Sequence, residues 1–256
     1  MNIGIIGLGL IGGSMLKAIK KNTSNKCFAY NRTKAVLQKA KPYLDDELTE
    51  NNMNDMDLII VSLNPRLTVE YVKKNIKNIK KGCVVIDVCG VKRYIANELD
   101  VLLMEKDIHL APCHPMAGKE VGGFDNSSAN LFKGASFIIT PTKITDIQTV
   151  KVVEDLALKI GFSKIVKATP EEHDRIIAYT SQLAHVVSNA YAKSPNIKKH
   201  QGFSAGSFQD LTRVARLDSN MWTELFSLNK DNILSELELV IKNLVKYKKA
   251  LEEDDY

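Results

Sequence analysis

Six residues near the start of the chain, Gly7-Leu8-Gly9-Leu10-Ile11-Gly12, constrain its fold more than any other feature of the sequence. They follow an apolar run at residues 3–6 and precede a helical pattern, which predicts a strand, a glycine turn and a helix. A Gly-x-Gly-x-x-Gly motif in this setting is typical of dinucleotide-binding proteins. Gly7 would allow the tight turn, Gly9 a close approach of the backbone to a pyrophosphate, and Gly12 close packing of helix on strand.

The cofactor is predicted from this motif and from the end of the second apolar run. The first N–H groups of the helix would face the phosphates. In such folds, a position about 20 residues beyond the glycines usually carries an acid that binds the ribose of NAD. This chain has Asn31, which can bond a hydroxyl, and Arg32, which suits the 2′-phosphate of NADP. We therefore expect NAD or NADP without strong preference, held by Gly7, Gly9, Leu10, Ile11, Gly12, Asn31, Arg32, Thr33 and Ser62.

Apolar runs typical of strands recur through the first 140 residues and alternate with helical segments. This alternation predicts an α/β fold, a Rossmann-type parallel sheet with helices on both faces. A helix at residues 146–160 and a short strand at 164–167 follow. The predicted strands of the first 140 residues are 2–6, 26–30, 58–63, 83–88, 108–112 and 136–140.

Beyond Thr169 the strand signals end, and Pro170 suits a first helical position. We expect a dinucleotide-binding domain at 1–168 and an all-α domain at 169–256. The last helix carries a broad apolar stripe, from Ile233 to Val245, at helical spacing. Such a stripe predicts a homodimer through the C-terminal helices, and core packing within one subunit is the alternative.

Composition excludes several classes of protein. Apolar residues make up 45% and charged residues 25% of 256, as in ordinary globular proteins. The net charge of +5 favours anionic ligands, but the lysine clusters lack interleaved aromatics, so nucleic-acid binding is not expected. No apolar stretch is long enough for a membrane span, and the glycine motif leaves no room for a leader, so we expect a cytoplasmic protein. The four cysteines lack Cys-x-x-Cys spacing, so neither disulfides nor a metal site is predicted.

His114 is the first candidate for chemistry. It follows the fifth apolar run, and would lie at the carboxyl edge of the sheet, where open sheets of this type bind ligands. Imidazole titrates near neutral pH and serves as an acid, a base or a hydrogen-bonding group. A strand-end histidine bonded to backbone is the alternative.

The helical half offers two further clusters. Ser181 and His185 are four residues apart and would share a helix face, although His185 could instead be a core histidine. His173 is predicted to begin this helix and to face solvent. Gly206 and other small residues precede Arg213, whose guanidinium suits a carboxylate, with an ion pair to Asp210 as the alternative.

Taken together, these motifs resemble the prephenate dehydrogenase family of tyrosine biosynthesis, in order and over nearly the whole chain. The resemblance rests on the glycine motif, on the segments 114–120 and 173–185, and on Asp210-Leu211-Thr212-Arg213 with Met221-Trp222. It implies an N-terminal nucleotide domain and a C-terminal helical dimerisation domain. The implied reaction converts prephenate to 4-hydroxyphenylpyruvate and carbon dioxide while a nicotinamide cofactor is reduced.

The resemblance also implies roles for particular residues. Neutral His114 would bond the ring hydroxyl as positive character develops at the carbon that loses hydride. Arg213 would anchor a carboxylate. The other implied groups are Ser181 and His185 in the pocket, Glu120 at its entrance, and Gly206 and Trp222 in the pocket wall.

The chain departs from the family pattern at one position. A serine often follows the fourth predicted strand in the family and bonds the histidine and the substrate, but Gly90 stands there in this chain. The missing contact would be replaced by water, by backbone or by Lys92, so both Gly90 and Lys92 are predicted at the substrate pocket.

Three alternatives stay open. An arogenate dehydrogenase would act on the same ring, although Lys119 mildly disfavours a substrate with an ammonium group. A 3-hydroxyacid-type dehydrogenase needs a catalytic lysine on the helix that opens at His173, and no lysine occurs before Lys193. A non-catalytic nucleotide sensor of the same fold is the third.

Overall fold

The computed structural model describes residues 1–119 and 121–255. The chain divides into two compact units, Met1–His173 and a second that begins at Asp174. The predicted boundary after residue 168 lies just before the helix that starts at Pro170.

The first unit is built on a six-stranded parallel sheet in the order β3-β2-β1-β4-β5-β6. This strand order, with the reversal beside β1, is that of the dinucleotide-binding fold. The predicted fold class is confirmed for this unit. The strands are β1 (Asn2–Ile6), β2 (Lys26–Tyr30), β3 (Asp46–Glu47), β4 (Leu58–Val61), β5 (Val84–Asp87) and β6 (His109–Leu110).

Helices cover both faces of this sheet because the central strands are apolar on both sides. Alternate residues of β4 enter two separate buried clusters, Leu58 and Ile60 in one and Ile59 and Val61 in the other. The first cluster includes residues of α1 and α5, and the second includes residues of α3 and α4. The helices of the unit are α1 (Leu10–Asn22), α2 (Lys34–Ala40), α3 (Pro65–Asn75), α4 (Arg93–Met104) and α5 (Ile147–Lys159).

A second sheet corrects the prediction of one continuous parallel sheet. Its strands are β7 (Cys113–Pro115), β8 (Ser136–Ile139) and β9 (Lys164–Lys167), with β7 antiparallel to β8 and β8 parallel to β9. The predicted strand at 108–112 is therefore only two residues long, as β6. Pro112 lacks an N–H and interrupts the ladder, and the chain then pairs with β8 instead.

Among its described residues the second unit contains helices joined by turns and loops and no strand, which confirms the predicted all-α half. The helix α6 (Pro170–Ile177) runs into a π-helix at Ala178–Leu183 and then into α7 (Ala184–Tyr191). A short 3-10 helix follows at Pro195–Lys199. The remaining helices are α8 (Gly206–Thr212), α9 (Ser219–Leu228) and α10 (Lys230–Glu253). Across residues 1–119 and 121–255, none of the helices combines the length and the apolar character needed to cross a membrane.

Candidate active site

The three glycines of the turn after β1 are glycines for different structural reasons. Gly7 has φ of 89°, and a Cβ there would lie 2.4 Å from the carbonyl oxygen of Ser62. A Cβ on Gly12 would lie 2.0 Å from the carbonyl oxygen of Gly7. Glycine is thus required at both positions by the fold itself. A Cβ on Gly9, in contrast, would meet no described atom within 4 Å.

Open space above Gly9 coincides with the start of α1. Gly9 is the N-cap, so the N–H groups of Leu10, Ile11 and Gly12 have no carbonyl partner within the helix. Such a helix start favours negative charge through these N–H groups and the helix dipole. The geometry fits a pyrophosphate that approaches the backbone at Gly9, where any side chain would block it.

The end of β2 is tied to the same turn. The amide of Gly7 donates to the carbonyl of Tyr30 at 2.9 Å, and the amide of Leu8 donates to Oδ1 of Asn31 at 2.9 Å. Arg32 and Thr33 follow at the surface, and Arg32 is exposed. Asn31 thus braces the turn, and Arg32 and Thr33 are both exposed beside it.

His114 lies at the centre of β7, paired in register with Ile138 of β8. It comes four residues after the end of β6, so the chain carries it away from the edge strand of the parallel sheet. Its neighbour Cys113 accepts a hydrogen bond through its carbonyl from Nζ of Lys92 at 2.6 Å. Lys92 is fully buried and forms an ion pair with Asp87, the last residue of β5. This pair links the central sheet to the strand that carries His114.

The ring of His114 contacts a second histidine. Its Nδ1 atom lies 2.9 Å from Nε2 of His173, and the ring planes are inclined by 60°. His173 is only 2% exposed. The prediction that His173 faces solvent is therefore wrong, because its imidazole is buried against His114. The position of His173 at the start of a helix does not reveal, from sequence alone, that its partner is His114, 59 residues earlier.

The environment of His114 keeps its ring neutral. Burial lowers its pKa well below 6.5, and the proximity of His173 and Lys92 lowers the pKa further by disfavouring a positive charge on the ring. A neutral imidazole has one N–H and one lone pair. Since Nδ1 is engaged with His173, Nε2 is the nitrogen left for a ligand.

Gly90, the position where the chain departs from the family pattern, lies half-buried in the turn between β5 and α4. Lys92 was one predicted replacement for the family's serine. Its ammonium is enclosed by Asp87 and the Cys113 carbonyl, with no exposed surface. Glu120, the predicted entrance acid, lies outside the described residues.

In the second unit, the ring of His185 lies against that of Trp222, with ring centroids 3.9 Å apart and planes inclined by 33°. The carbonyl of Ser181 can only accept, so the 2.9 Å contact to His185 means that Nδ1 of His185 carries the proton. Burial lowers the pKa of His185, the hydrogen bond to Ser181 raises it, and the charge of Arg213 lowers it. The histidine is half-buried rather than part of the core, and Arg213 is exposed.

Ser181 and His185 are thus in contact, but through the backbone carbonyl of Ser181 and not through its side chain. Ser181 lies in the π-helix, whose wider turn changes the side-chain spacing before α7 begins. π-helical turns occur frequently at functional sites. Gly206 is the first residue of α8, and Arg213 is the residue that caps the other end of that helix.

An open cleft of about 760 Å³ also lies in the second unit. The aromatic side chains of Tyr191, His200, Phe203 and Phe208 contribute to its wall. Its described lining contains none of the residues that the sequence predicted as site residues.

Strand order, glycine turn and helical second unit together define a dinucleotide-binding protein of two domains. The chain belongs to the prephenate dehydrogenase family, whose nucleotide-binding domain matches residues 15–166 and whose dimerization domain matches residues 169–256. This is an oxidoreductase family, which confirms the predicted class of enzyme and decides against the 3-hydroxyacid-type and sensor alternatives.

The similarity to individual relatives extends over nearly the whole chain. The cyclohexadienyl dehydrogenase of Zymomonas mobilis is 30% identical over 99% of this chain and 89% of its own length. The prephenate dehydrogenase of Bacillus subtilis is 28% identical over 98% of this chain and 70% of its own.

Solved structures show the same likeness. A prephenate dehydrogenase from A. aeolicus, in complex with hydroxyphenyl propionate and NAD+, has a TM-score of 0.88 at 28% identity and covers 99% of this chain and 91% of its own. Synechocystis arogenate dehydrogenase has a TM-score of 0.85 at 25% identity, with 100% and 94% covered.

Proposed function

We propose that this protein converts prephenate to 4-hydroxyphenylpyruvate and carbon dioxide while a hydride passes to NAD+ or NADP+. The observation that carries the proposal is the neutral His114, held with Nδ1 engaged and Nε2 available. Membership of the prephenate dehydrogenase family supports it. The A. aeolicus structure, which holds NAD+ and a hydroxyphenyl acid, also supports it.

The first unit holds the cofactor in this proposal. The nicotinamide, when bound, accepts the hydride. Gly9 leaves room for the pyrophosphate, and the N–H groups at Leu10 and Ile11 bind its charge. Ser62 packs against Gly12 and supports the turn. Arg32 at the exposed end of β2 admits the 2′-phosphate, so we propose that NADP+ as well as NAD+ is accepted.

His114 acts on the ring hydroxyl. Hydride loss leaves positive character on the hydroxyl-bearing carbon. The ring carboxylate then departs as CO₂ and leaves its bonding electron pair in the ring, which becomes an aromatic phenol. A hydrogen bond from the hydroxyl to a lone pair on His114 makes the oxygen more electron-rich and stabilises that carbon. A protonated imidazole has no lone pair and cannot do this, so the lowered pKa of His114 favours the active form.

In the second unit we assign Arg213 to a substrate carboxylate, because a guanidinium binds carboxylates through two parallel hydrogen bonds. Burial and the charge of Arg213 lower the pKa of His185, which favours the neutral ring with Nε2 as a hydrogen-bond acceptor. Further residues that we propose to contact substrate are Ser181, Gly206 and Trp222 in the second unit, and Gly90 and Glu120 in the first. Lys92 is enclosed by Asp87 and the carbonyl of Cys113, so it would act only by supporting the strand that carries His114.

Arogenate is the second candidate substrate, since the relatives include an arogenate dehydrogenase and a cyclohexadienyl dehydrogenase. It differs from prephenate only in an amino group that stands in place of the side-chain keto group. Purified protein with either acid and either cofactor should be followed by the absorbance of the reduced nicotinamide and by release of CO₂. Reduction with prephenate that exceeds reduction with arogenate supports the proposal, and no reduction with either acid refutes it.

We also propose a homodimer through the C-terminal helices, in a cytoplasmic enzyme. The match to the family's dimerization domain supports the dimer. Apolar side chains that are exposed along one side of α10 support it too: Leu234, Ile241, Leu244, Val245, Tyr247 and Leu251. An apolar face of this extent is usually covered by another protein surface. Analytical ultracentrifugation should show a dimer that Leu244→Glu with Val245→Glu weakens, while Lys246→Glu, a charge change on the same helix, serves as control.

A further inference from the structure

Two imidazoles that meet through one nitrogen each can share only one proton between them. Nδ1 of His114 and Nε2 of His173 lie 2.9 Å apart, which is hydrogen-bond distance. The tilt of 60° and the 5.1 Å between ring centroids show an edge contact, not a stack. One ring therefore donates and the other accepts, so the tautomers of the two histidines are coupled.

Local structure holds His173 in place. It lies in the first turn of α6, where its amide donates to the carbonyl of Thr169 at 2.9 Å. The Thr169 hydroxyl accepts from the amide of Glu172 at 3.1 Å and caps the helix. His173 is 2% exposed, so its ring does not exchange this partner freely with water. A capped helix start thus presents Nε2 of His173 to His114 as a fixed group.

We infer that His173 is a positioning residue that accepts the Nδ1–H of His114 and so keeps the lone pair of His114 on Nε2. The inference rests on the proposed function, because the ring hydroxyl needs an acceptor there. In the opposite tautomer, His114 would present an N–H to that oxygen and withdraw electron density as positive character develops. Gly90 has no side chain with which to orient His114, whereas His173 lies at hydrogen-bond distance from its Nδ1.

Nuclear magnetic resonance of the protein with ¹⁵N-labelled histidine reads the tautomer directly and needs no substrate. The chain has five histidines, so single substitutions assign the signals. We expect Nδ1 of His114 to be protonated and Nε2 unprotonated. A signal from a protonated Nε2 would overturn the inference, and it would do so whether or not the enzyme turns over prephenate.

Kinetics of two variants give the second readout. His173→Leu removes the acceptor and should lower kcat about 10- to 100-fold, as loss of a supporting hydrogen bond does, with little change in the KM of either substrate. His173→Gln places an amide oxygen near the former Nε2 and should restore most of kcat. If the leucine variant does not fold, the glutamine variant and the resonance experiment still decide.

The matched control is His109→Gln, the same substitution at a histidine of the same unit that pairs with Asp146 instead of His114. Its kcat should stay within about twofold of the wild type, since partly exposed pairs contribute little. A leucine variant at position 173 with wild-type kcat, or a loss that appears only in KM, would show that His173 does not position His114.

Discussion

Lys92 and Asp87 form an ion pair in which neither side chain has more than 1% of its surface exposed. The Lys92 ammonium also bonds the carbonyl of Cys113, and Asp87 accepts from the amide of Cys89 at 2.9 Å. The remaining oxygen of Asp87, Oδ1, has no hydrogen-bond partner within the part of the chain that the structure describes. Removal of the lysine therefore leaves a buried carboxylate with little compensation.

We expect Lys92→Met to lower the free energy of unfolding by about 3 to 5 kcal/mol, the usual cost of breaking a buried pair. Asp87→Asn combined with Lys92→Met removes both charges and keeps an acceptor for Cys89. The double variant should recover at least half of the loss. Urea unfolding measures all three proteins, and equal loss in the single and double variants would contradict a charge-based cause.

Substitution of His114 tests its place in the reaction. His114→Asn should reduce turnover about 100-fold or more, as removal of a group that acts on the reacting oxygen usually does. The Kd for the cofactor should be unchanged, because the glycine turn is a separate part of the unit. Steady-state rates and calorimetric titration with NAD+ give the two quantities. Near-normal turnover would remove His114 from the mechanism.

The glycine turn allows a paired test of cofactor binding and folding. A methyl group on Gly9 enters open space at φ of −82°, so Gly9→Ala should cost less than about 1 kcal/mol of stability. It should nevertheless weaken NAD+ binding about tenfold or more, which is about 1.4 kcal/mol. Gly12→Ala drives a Cβ into the carbonyl of Gly7 and should mainly destabilise the fold. A Gly9→Ala protein with normal Kd would refute the pyrophosphate site.

The sequence predicts the first half of the fold well because its signals are local. The apolar runs of β1, β2, β4 and β5 are buried strands at nearly the predicted bounds, and the glycine motif fixes the turn to α1. Asp46–Glu47, by contrast, is two polar residues at the sheet edge and carries no periodicity. The second sheet was missed because β7 pairs with a strand more than 20 residues away, a choice made by tertiary contact.

The site was predicted in part for the same reason. His114, His185 and Arg213 stand in short motifs, so their residue types are visible in the sequence. His173 is a polar residue in a first helical turn, where most such residues face water. Its burial depends on His114, which is distant in the sequence. The sequence feature that could have indicated this burial is its helical spacing from Pro170 and Ile177, because all three lie on one buried face of α6.

Stability should depend on pH through the two histidines with lowered pKa values, His114 and His185. In the unfolded chain a histidine titrates at about 6.5, so below that pH the unfolded state binds more protons than the folded state. The free energy of unfolding should therefore fall as pH drops from 7.5 to 5. Urea unfolding at several pH values should show a smaller fall for His114→Asn, and an equal or larger fall would show that His114 titrates normally.

Arg213 offers a test that separates binding from structure within the second unit. Loss of a charged anchor for a carboxylate costs about 2 kcal/mol or more, so Arg213→Ala should raise the KM for prephenate about 30-fold or more with a smaller change in kcat. Arg213 also lowers the pKa of His185, so the same variant should raise that pKa in a histidine titration followed by nuclear magnetic resonance. Arg213→Lys keeps the charge and should preserve the low pKa, but it loses the two-pronged contact and should still raise KM. An unchanged KM in both variants would make Arg213 a structural residue, and an unchanged pKa in the alanine variant would show that its charge does not act on His185.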